Sequence, residues 1–492
     1  MKAGKVYLVG GGPGDAGLLT VKGLKLIESA DVVVHDRLIS NEIMELIPRD
    51  TKLINVGKNV GHHSVPQDEI NKILVREAKK GQTVVRLKGG EPFLFGRGGE
   101  EIEELYKNNI EFEVVSGVTS SIAAPSYGGI PVTHRDYCSS LHIITGHAKK
   151  GGKLNIDFVS LAKLGGTLVF MMSVSTVGQI ARGLTDAGMD KNMPCAVVEN
   201  GTMCSQRTFV STLENIAETI EKNNVKSPAV IVVGKVCELA DKFDWFTKRP
   251  LFGRKIIVTQ PEKKASKLAD ILREKGADVT VYPCIKMQGY DDFDTDVRDY
   301  NIIVFTSAVG VMVFFESMIE RNIDARKFYN KNFACVGKRT ADKLKEYGII
   351  ADFVPSAADG EHLAKEMLST GFVSPTDKIL LLRAEKSSKE ILDIFDKSGL
   401  EYCDRAIYKA EYIKHDNLDL PEYDYVMFTS KSTVDGFVKC MNTEDFSPVK
   451  AVCIGKKTAE YAKEYGFDTI ISENATVESM AECVVKNEGD RE

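Results

Sequence analysis

The sequence predicts an α/β fold made of more than one domain. Short runs rich in valine and isoleucine alternate with helical patterns through the first half, which is typical of strands and helices that alternate along a chain. The length of 492 residues exceeds what one ordinary core accommodates, so about two to four domains are expected. The predicted strands are Val6 to Val9, Asp31 to Val34, Thr83 to Leu87, Ile143 to Thr145, Thr167 to Met171 and Ala229 to Val233.

Composition limits the classes of partner and the compartment. The formal net charge is −6, from 64 basic and 70 acidic side chains, so the chain as a whole is not predicted to bind nucleic acid. No run of about 18 apolar residues is present, and the apolar run near the N-terminus is too short for a signal peptide, so we expect a cytoplasmic protein that contacts no membrane. The 10 cysteines form no C-x-x-C pair, and we expect reduced thiols and no metal site.

A change in composition predicts a domain boundary near the middle of the chain. The segment D-K-F-D-W-F-T-K-R-P-L-F-G from Asp241 to Gly253 carries charges, a proline and the only tryptophan. We predict one domain over 1–242, a linker over 243–252 and a second region over 253–492. Trp245 is expected to anchor the linker by packing, with a ligand-stacking role as the alternative.

The second region contains an internal repeat, which predicts two similar lobes. Phe305-Thr306-Ser307 is echoed by Phe428-Thr429-Ser430, and C-V-G-K-R-T-A from Cys335 is echoed by C-I-G-K-K-T-A from Cys453. Each copy places hydroxyls and backbone N–H groups at a helix N-terminus, where a carboxylate is favoured. Simple helix capping is the alternative at any single turn. The candidate anion-binding residues are Thr306, Ser307, Thr340, Thr429, Ser430 and Thr458.

The stretch R-L-K-G-G-E-P-F-L-F-G-R-G-G-E-E from Arg86 to Glu101 predicts a binding loop between a strand and a helix. Gly89 and Gly90 allow a sharp turn and a close approach of backbone to a ligand. Three cations, Arg86, Lys88 and Arg97, are candidates for charge-assisted hydrogen bonds to an anion. An ordinary glycine-rich turn with solvated charges is the alternative.

Several further motifs of the first half occur together in a characteristic order. The loop from Gly10 to Asp15 is neither a dinucleotide fingerprint nor a phosphate loop, because Pro13 interrupts the first pattern and no Gly-Lys-Ser/Thr follows. The other motifs are A-D-V-V-V-H-D-R-L-I-S from Ala30, V-G-K-N-V-G-H-H-S from Val56, V-S-G-V-T-S from Val115, G-I-P-V-T-H-R from Gly129 and A-V-V-E-N-G-T from Ala196. Residues 1–240 thereby resemble uroporphyrinogen-III C-methyltransferases, which are tetrapyrrole methylases.

The resemblance implies a fold, a reaction and a cofactor. It implies two unequal α/β subdomains with S-adenosylmethionine in the cleft between them, and a homodimer formed through this half. The implied reaction transfers two methyl groups to ring carbons C2 and C7 of uroporphyrinogen III, giving precorrin-2 for sirohaem and cobalamin synthesis. A methyltransferase that acts on a later precorrin is the alternative enzyme.

Site residues follow from the resemblance position by position. Asp36 matches the proposed proton acceptor and Lys58 the proposed donor; alternatively, Asp36 bridges Arg37 and Lys58 binds a carboxylate. The implied cofactor contacts are Pro13, Gly89, Gly90, Glu91, Leu94, Thr119, Ser120, Met172 and Gly201. The cations expected to bind the carboxylates of the substrate, besides Lys58, are Arg37, Arg86, Lys88, Arg97, His134 and Arg135.

The chain departs from the methyltransferase pattern at a few positions. Glu91 stands where the family usually has Asp, Ser116 where it has Pro, and His35 often where it has Tyr. Met171-Met172-Ser173 replaces a usual Tyr-Met-Gly. We therefore expect a backbone contact at Glu91 and leave a side-chain contact open.

The second half resembles uroporphyrinogen-III synthase. The motifs are I-I-V-T-Q from Ile256, Y-P-C-I from Tyr282, F-T-S-A-V-G-V from Phe305, A-I-Y-K-A from Ala406, F-T-S-K-S-T-V from Phe428 and I-G-K-K-T-A from Ile454. The resemblance implies a bilobal α/β fold, with one lobe over 253–283 plus 411–492 and the other over 287–406. It implies cyclisation of hydroxymethylbilane to uroporphyrinogen III with inversion of the last ring and without any cofactor.

One tyrosine is the implied catalytic group of this half. Tyr408 matches the family residue suspected of helping the substrate hydroxyl leave; packing of the hinge is the alternative reading. Gln260 stands where the family often has Arg. Because the synthase product is the methyltransferase substrate, the sequence predicts a bifunctional enzyme. A methyltransferase joined to a catalytically idle tetrapyrrole-binding module is the alternative from another functional class.

Overall fold

The architecture comes from a computed structural model, which describes residues 3–57, 65–146, 154–260, 262–413 and 418–489, with the backbone alone for 262–266. Four sheets of five strands each carry the fold. No helix within these residues is long and apolar enough to cross a bilayer, and they contain no metal-binding group of three or more His, Cys, Asp or Glu side chains.

The first sheet is entirely parallel, in the order β3-β2-β4-β1-β5. Its inner strands are runs of Val and Leu that are buried on both faces, as helices on each side of a parallel sheet require. The strands are β1 (Lys5–Gly10), β2 (Val32–His35), β3 (Lys52–Asn55), β4 (Val84–Lys88) and β5 (Glu111–Val115). The helices are α1 (Val21–Glu28), α2 (Asn41–Met44), α3 (Gln67–Ala78), α4 (Gly98–Lys107) and α5 (Ser120–Tyr127).

The second sheet is mixed, in the order β6-β7-β10-β8-β9. Only β6 and β7 pair in parallel, whereas β10 runs antiparallel to both of its neighbours. The strands are β6 (Leu141–Thr145), β7 (Thr167–Met171), β8 (Pro194–Glu199), β9 (Arg207–Thr212) and β10 (Ala229–Val233). The helices are α6 (Phe158–Lys163), α7 (Val177–Asp186), α8 (Ile216–Lys222) and α9 (Ala240–Phe243).

The third sheet joins the two ends of the C-terminal half. It is parallel, in the order β12-β11-β18-β19-β20. The strands are β11 (Lys255–Val258), β12 (Asp278–Val281), β18 (Tyr425–Phe428), β19 (Lys450–Cys453) and β20 (Thr469–Ile471). The helices are α10 (Glu262–Glu274), α15 (Lys431–Cys440), α16 (Lys456–Glu464) and α17 (Val477–Gly489).

The fourth sheet uses the residues between those ends, in the order β13-β17-β16-β14-β15. The short strand β13 pairs antiparallel with the second half of β17, whereas the other pairs are parallel. The strands are β13 (Ile285–Gly289), β14 (Ile302–Phe305), β15 (Asn332–Cys335), β16 (Lys378–Ala384) and β17 (Glu401–Tyr412). The helices are α11 (Ala308–Glu320), α12 (Lys338–Glu346), α13 (Gly360–Ser369) and α14 (Glu390–Lys397).

The linker packs against α5 of the N-terminal half. The Trp245 ring lies 4.9 Å from the Tyr127 ring, and the Phe246 ring lies 4.7 Å from the same tyrosine. Arg249 covers the Trp245 ring at 4.8 Å, and the indole Nε1 of Trp245 donates to the Ser126 carbonyl. These contacts agree with a packing role for the tryptophan, while the domain bounds themselves stay a prediction.

Candidate functional site

Three loops meet at the carboxyl-terminal edge of the first sheet, the usual ligand-binding edge of an open α/β sheet. They span residues 11–15, 89–97 and 116–119, after β1, β4 and β5, and we call this region the three-loop edge. The backbone N of Gly90 donates to the Gly12 carbonyl at 2.7 Å, and the Gly12 N donates back at 3.3 Å. The Glu91 Oε2 accepts the N–H of Gly117 at 2.8 Å. The loops are therefore joined to one another by hydrogen bonds.

Glycine is required at two positions of this edge for different reasons. A Cβ on Gly10 would lie 2.5 Å from the Gly117 nitrogen, so the two backbones could not approach as they do. Gly90 has a φ of +67°, and an added Cβ would meet nothing within 4 Å. The backbone at Gly90 thus borders open space.

A cavity of about 670 Å³ lies between residues 37–41, α5 and the second sheet, and Pro13 is the residue of the three-loop edge in its wall. Five of the predicted site residues line it: Pro13, Arg37, Ser120, Met172 and Gly201. Most of the lining is apolar or backbone, which suits a small organic ligand. Met172 adopts a φ of +53° and Asn200 a φ of +48°, conformations that non-glycine residues hold at a cost and that concentrate at binding sites.

A buried network of charges lies beneath the edge. Arg86, only 1 % exposed, donates from Nη2 to Asp36 Oδ1 at 2.6 Å and from Nε to Glu101 Oε1 at 3.2 Å. Lys88 Nζ donates to the same Glu101 oxygen at 2.8 Å. Glu101 is fully buried, and its Oε2 has no hydrogen-bond partner among the described residues. Asp36 remains about one-third exposed, so it is the member of the network that reaches solvent.

The positions of Arg86 and Lys88 differ from the sequence prediction. Both were expected to meet the carboxylates of a ligand, but both are buried and engaged with Glu101. Burial, together with repulsion from Arg86, lowers the pKa of Lys88, while Glu101 opposes that shift. A buried charge needs a partner in an apolar interior. The Glu101 carboxylate supplies one for the positive charges of Arg86 and Lys88, which β4 carries into the core. In this structure neither cation faces the cavity.

The remaining predicted residues of the N-terminal half are more dispersed. Arg97 begins α4 with a φ of +57° and forms an exposed ion pair with Glu100 at 2.6 Å. Thr119 caps α5, His134 is partly buried and Arg135 is exposed. Five predicted cofactor contacts belong to the three-loop edge but do not line the cavity: Gly89, Gly90, Glu91, Leu94 and Thr119. Lys58 lies outside the described residues.

The repeat of the C-terminal half produces two equivalent helix starts. Ser307 caps α11, with its Oγ accepting the Gly310 N–H at 2.9 Å. Ser430 caps α15 through a reciprocal capping box with Thr433. Thr306 and Thr429 precede these caps and are partly exposed. The side chains of Ser307 and Ser430 therefore cap these two helices, and the first-turn N–H groups that they do not bind remain available to an anion.

Thr340 and Thr458 are less accessible than predicted. They lie in the first turns of α12 and α16, after the glycine caps Gly337 and Gly455. Thr340 is 4 % exposed and Thr458 is 6 % exposed. Because the helix amphipathicity turns these hydroxyls inward, the open donors at these two turns are backbone N–H groups.

Tyr408 and Ser307 are brought together by the fold. The Tyr408 hydroxyl lies 2.8 Å from the Ser307 Oγ, and the tyrosine is 7 % exposed on β17. Burial raises the pKa of Tyr408, although the Ser307 contact opposes the shift. The phenol is accordingly protonated at neutral pH and able to donate a hydrogen bond.

Sequence reasoning missed several residues that shape the N-terminal site. Tyr127 donates to Asp15 Oδ2 at 2.7 Å, and Thr202, with a φ of +75°, accepts the Asp15 N–H at 3.2 Å. Ser40 Oγ donates to the Gly14 carbonyl at 2.6 Å. Their partners are distant in the chain, so no local pattern could reveal them. The sequence also carries no sign that Glu101 is buried, because its burial depends on tertiary packing.

Comparison with known proteins divides the chain into two parts. Residues 5–217 match the model of tetrapyrrole (corrin/porphyrin) methylases, and residues 266–482 match that of uroporphyrinogen-III synthase HemD. The porphyrin biosynthesis protein HemD of Ruminiclostridium josui is 45% identical over 99% of this chain and 98% of its own length. The siroheme synthase of Escherichia coli O1:K1 / APEC is 53% identical, over 50% of this chain and 52% of its own length. This chain thus spans about half the length of that relative.

A solved structure resembles the N-terminal half. The uroporphyrin-III C-methyl transferase of Thermus thermophilus, complexed with S-adenyl homocysteine, is 38% identical and covers 47% of this chain and 93% of its own, with a TM-score of 0.41. The predicted α/β class, with a methylase-like part followed by a synthase-like part, is confirmed by the family matches. With a relative that matches it from end to end, the chain belongs to the family of HemD porphyrin-biosynthesis proteins in which a tetrapyrrole methylase precedes a uroporphyrinogen-III synthase.

Proposed function

We propose that this chain catalyses two consecutive steps of tetrapyrrole synthesis. The C-terminal half cyclises hydroxymethylbilane to uroporphyrinogen III, and the N-terminal half methylates that product at C2 and C7 to give precorrin-2. The observation that carries the proposal is the 670 Å³ cavity, whose wall includes Pro13 and Arg37, together with Asp36, the neighbour of Arg37 in the chain, which is held by a buried arginine.

The residues around this cavity fit S-adenosylmethionine as the methyl donor, which would supply an electrophilic methyl group. Gly90, on the three-loop edge, presents its backbone to open space. Pro13, Met172 and Gly201 give an apolar lining, and Ser120 adds a hydroxyl and a helix N-terminus. We propose that the other contacts come from Gly89, Glu91, Leu94 and Thr119. Pre-organised loops of this kind align reactants and exclude water, which is most of what methyl transfer demands.

Asp36 is proposed to accept the proton that the substrate loses after methylation. Its Oδ1 is fixed by Arg86 at 2.6 Å, and Arg86 is itself fixed by Glu101. The other carboxylate oxygen of Asp36 is thereby oriented by a rigid, buried frame. Lys58 is proposed as the proton donor from the family resemblance alone.

In the C-terminal half, positioning is proposed to do most of the work. Carboxylates of the linear substrate would accept hydrogen bonds from the helix starts at Ser307 and Ser430 and from the turns at Gly337 and Gly455. Tyr408 would donate a hydrogen bond to the departing hydroxyl and so stabilise the negative charge that develops on its oxygen as the bond to carbon breaks. No cofactor is part of this proposal.

To test this proposal, the purified chain is incubated with hydroxymethylbilane in the presence and in the absence of S-adenosylmethionine. Without the donor we expect uroporphyrinogen III, and with it precorrin-2. If only the type-I isomer forms without donor, the synthase proposal is wrong. If uroporphyrinogen III accumulates unmethylated with donor, the methyltransferase proposal is wrong and a first half that methylates a later precorrin is favoured.

A homodimer through the N-terminal half is also proposed, from the family resemblance. One chain has a mass of 54.2 kDa. Light scattering after size exclusion should therefore give about twice that mass, whereas a monomeric mass would contradict the proposal.

A further inference from the structure

A side chain of the C-terminal half reaches into the N-terminal half. Arg273, in the last turn of α10, donates from Nη2 to Glu45 Oε2 at 2.7 Å, and its Nε lies 3.5 Å from Glu42 Oε1. The same Nη2 donates to the Val279 carbonyl at 3.0 Å, which fixes the guanidinium to β12. The Val281 N–H adds a second contact, to Glu45 Oε1 at 3.3 Å. Arg273 is thus held by its own half while it pairs with two acids of the other.

Of the acids that it contacts, Glu42 lies in the short helix α2 and Glu45 is the C-terminal cap of that helix, which supports the loop after β1. Glu42 Oε2 accepts the Ala16 N–H at 3.4 Å. Ser40, the cap of α2, donates to the Gly14 carbonyl at 2.6 Å. Residues 14 to 16 therefore rest on α2 through two hydrogen bonds, immediately after the predicted donor contact at Pro13.

The helix α2 has little rigidity of its own. It is one turn of four residues, and helices this short depend on tertiary contacts. A cavity of about 490 Å³ lies between the halves, lined by Ala16, Glu42 and Arg273 among others. There is consequently room for α2 and the loop to shift if the contact is lost.

The positive charge of Arg273 stabilises the two carboxylates that it contacts. Burial raises the pKa of Glu42 and of Glu45, and the charge of Arg273 opposes both shifts. Without the arginine, the carboxylates of Glu42 and Glu45, which are about one-quarter and one-third exposed, would lose their main counter-charge. Desolvation and repulsion would then favour movement of α2 toward solvent.

We propose that Arg273 is a positioning residue that sets the methyl-donor loop of the N-terminal half from the C-terminal half. This inference rests on the proposed function, since it takes the three-loop edge as the donor site. Its consequence is that affinity for S-adenosylmethionine depends on a residue of the synthase half, which touches neither the donor nor the tetrapyrrole.

The test measures donor binding and methyl transfer in the full-length chain. Arg273→Ala should weaken binding of S-adenosylhomocysteine in calorimetry, and raise KM for S-adenosylmethionine, by about fivefold. The kcat at saturating donor and the rate of hydroxymethylbilane cyclisation should stay unchanged, and Arg273→Lys should restore part of the affinity. The matched control is Lys267→Ala on the same helix, because Lys267 pairs with Glu478 within the C-terminal half.

The outcomes separate this inference from the proposed function. Equal affinity in wild type and Arg273→Ala overturns the inference and leaves the function standing. A wild type that binds neither S-adenosylmethionine nor S-adenosylhomocysteine overturns the function and the inference together. If Arg273→Ala unfolds, Glu45→Gln removes the 2.7 Å ion pair from the other side, and unchanged affinity in that variant overturns the inference.

Discussion

The candidate site of the N-terminal half is built over buried charge, whereas that of the C-terminal half is built from hydroxyls and helix N-termini. Beneath the three-loop edge, Glu101 and Arg86 are almost fully buried and hold Asp36 in one orientation. In the other half, Ser307 and Ser430 cap helices that begin at the ends of two different sheets. Buried ions tolerate little displacement because each needs its partner. The first arrangement suits proton transfer at one atom, and the second suits a grip on many carboxylates.

The sharpest test of this comparison removes the single exposed carboxylate of the buried network. Asp36→Asn should slow methyl transfer by about 100-fold or more, because the amide cannot accept a proton. Cyclisation of hydroxymethylbilane should be unchanged. Initial rates of the two reactions, with uroporphyrinogen III supplied directly for the first, check both expectations.

The matched control for this variant is Asp31→Asn. Asp31 lies at the other end of the same strand region, where it accepts the Thr83 N–H at 2.7 Å. The Asp31→Asn variant should methylate uroporphyrinogen III at a rate close to that of the wild type. Wild-type methylation by the Asp36 variant would show that its carboxylate has no part in proton transfer.

The next prediction concerns stability and uses another buried acid of the N-terminal half. Glu77 hydrogen-bonds Lys80 at 2.7 Å, Lys52 at 2.8 Å and Arg76 at 3.1 Å. Burial alone would raise the pKa of Glu77, but these three bonds outweigh it and hold the pKa at about 2, below the ordinary 4.5. The ionised form is therefore favoured by folding, so its contribution is complete above about 4.5 and is lost as the pH falls toward about 2.

Glu77→Gln should accordingly lower the free energy of unfolding by on the order of 2 kcal/mol at pH 7, and by progressively less as the pH falls below about 4.5. Denaturant unfolding followed by the fluorescence of Trp245, which packs on Tyr127, reports on this half. Glu69→Gln on the same helix is the control, since Glu69 forms only an exposed pair with Lys72. A loss of stability that does not vary with pH would contradict the assignment.

A smaller effect is expected at the candidate site of the C-terminal half, which is built from hydroxyls and helix N-termini. Tyr408→Phe should slow cyclisation about tenfold, because one hydrogen bond to the leaving group is lost while positioning is kept. Methylation of supplied uroporphyrinogen III should not change. The control is Tyr402→Phe on the same strand. The Tyr402 hydroxyl donates to Asp396 at 2.7 Å and not to Ser307. Cyclisation by the Tyr408 variant at the wild-type rate would leave this tyrosine only its packing role in the hinge.

Local patterns predicted what depends on local chemistry. The runs Thr167 to Met171 and Ala229 to Val233 are strands with those bounds, because β-branched residues fill a buried sheet. The strand β3 escaped prediction because its residues are mostly exposed and mixed in character. The position of β10, between β7 and β8 and antiparallel to both, could not be predicted either. Alternation of strands and helices is compatible with several strand orders.

The candidate site also has features that the sequence could predict and features that it could not. Pro13, Ser120, Met172 and Gly201, which the family resemblance groups as cofactor contacts, line one cavity. The burial of Arg86 was not predictable, because a cation at the end of a strand becomes internal only when a distant acid such as Glu101 is packed against it. Long-range pairing, and not local composition, decides which charges face a ligand.

The smallest expected effect lies at Glu91, whose carboxylate joins two loops of the N-terminal site. Its Oε2 accepts the Gly117 N–H at 2.8 Å, and its Oε1 accepts the Phe93 N–H at 3.2 Å. Glu91→Asp should raise KM for S-adenosylmethionine about threefold without changing kcat, because a shorter side chain cannot keep both loops at these distances. Glu91→Gln keeps the length and one carbonyl acceptor for Gly117, so it should bind the donor more tightly than Glu91→Asp. The reverse order would mean that the carboxylate charge meets the methyl donor directly, and then the N-terminal site would use charge at its surface as well as beneath it.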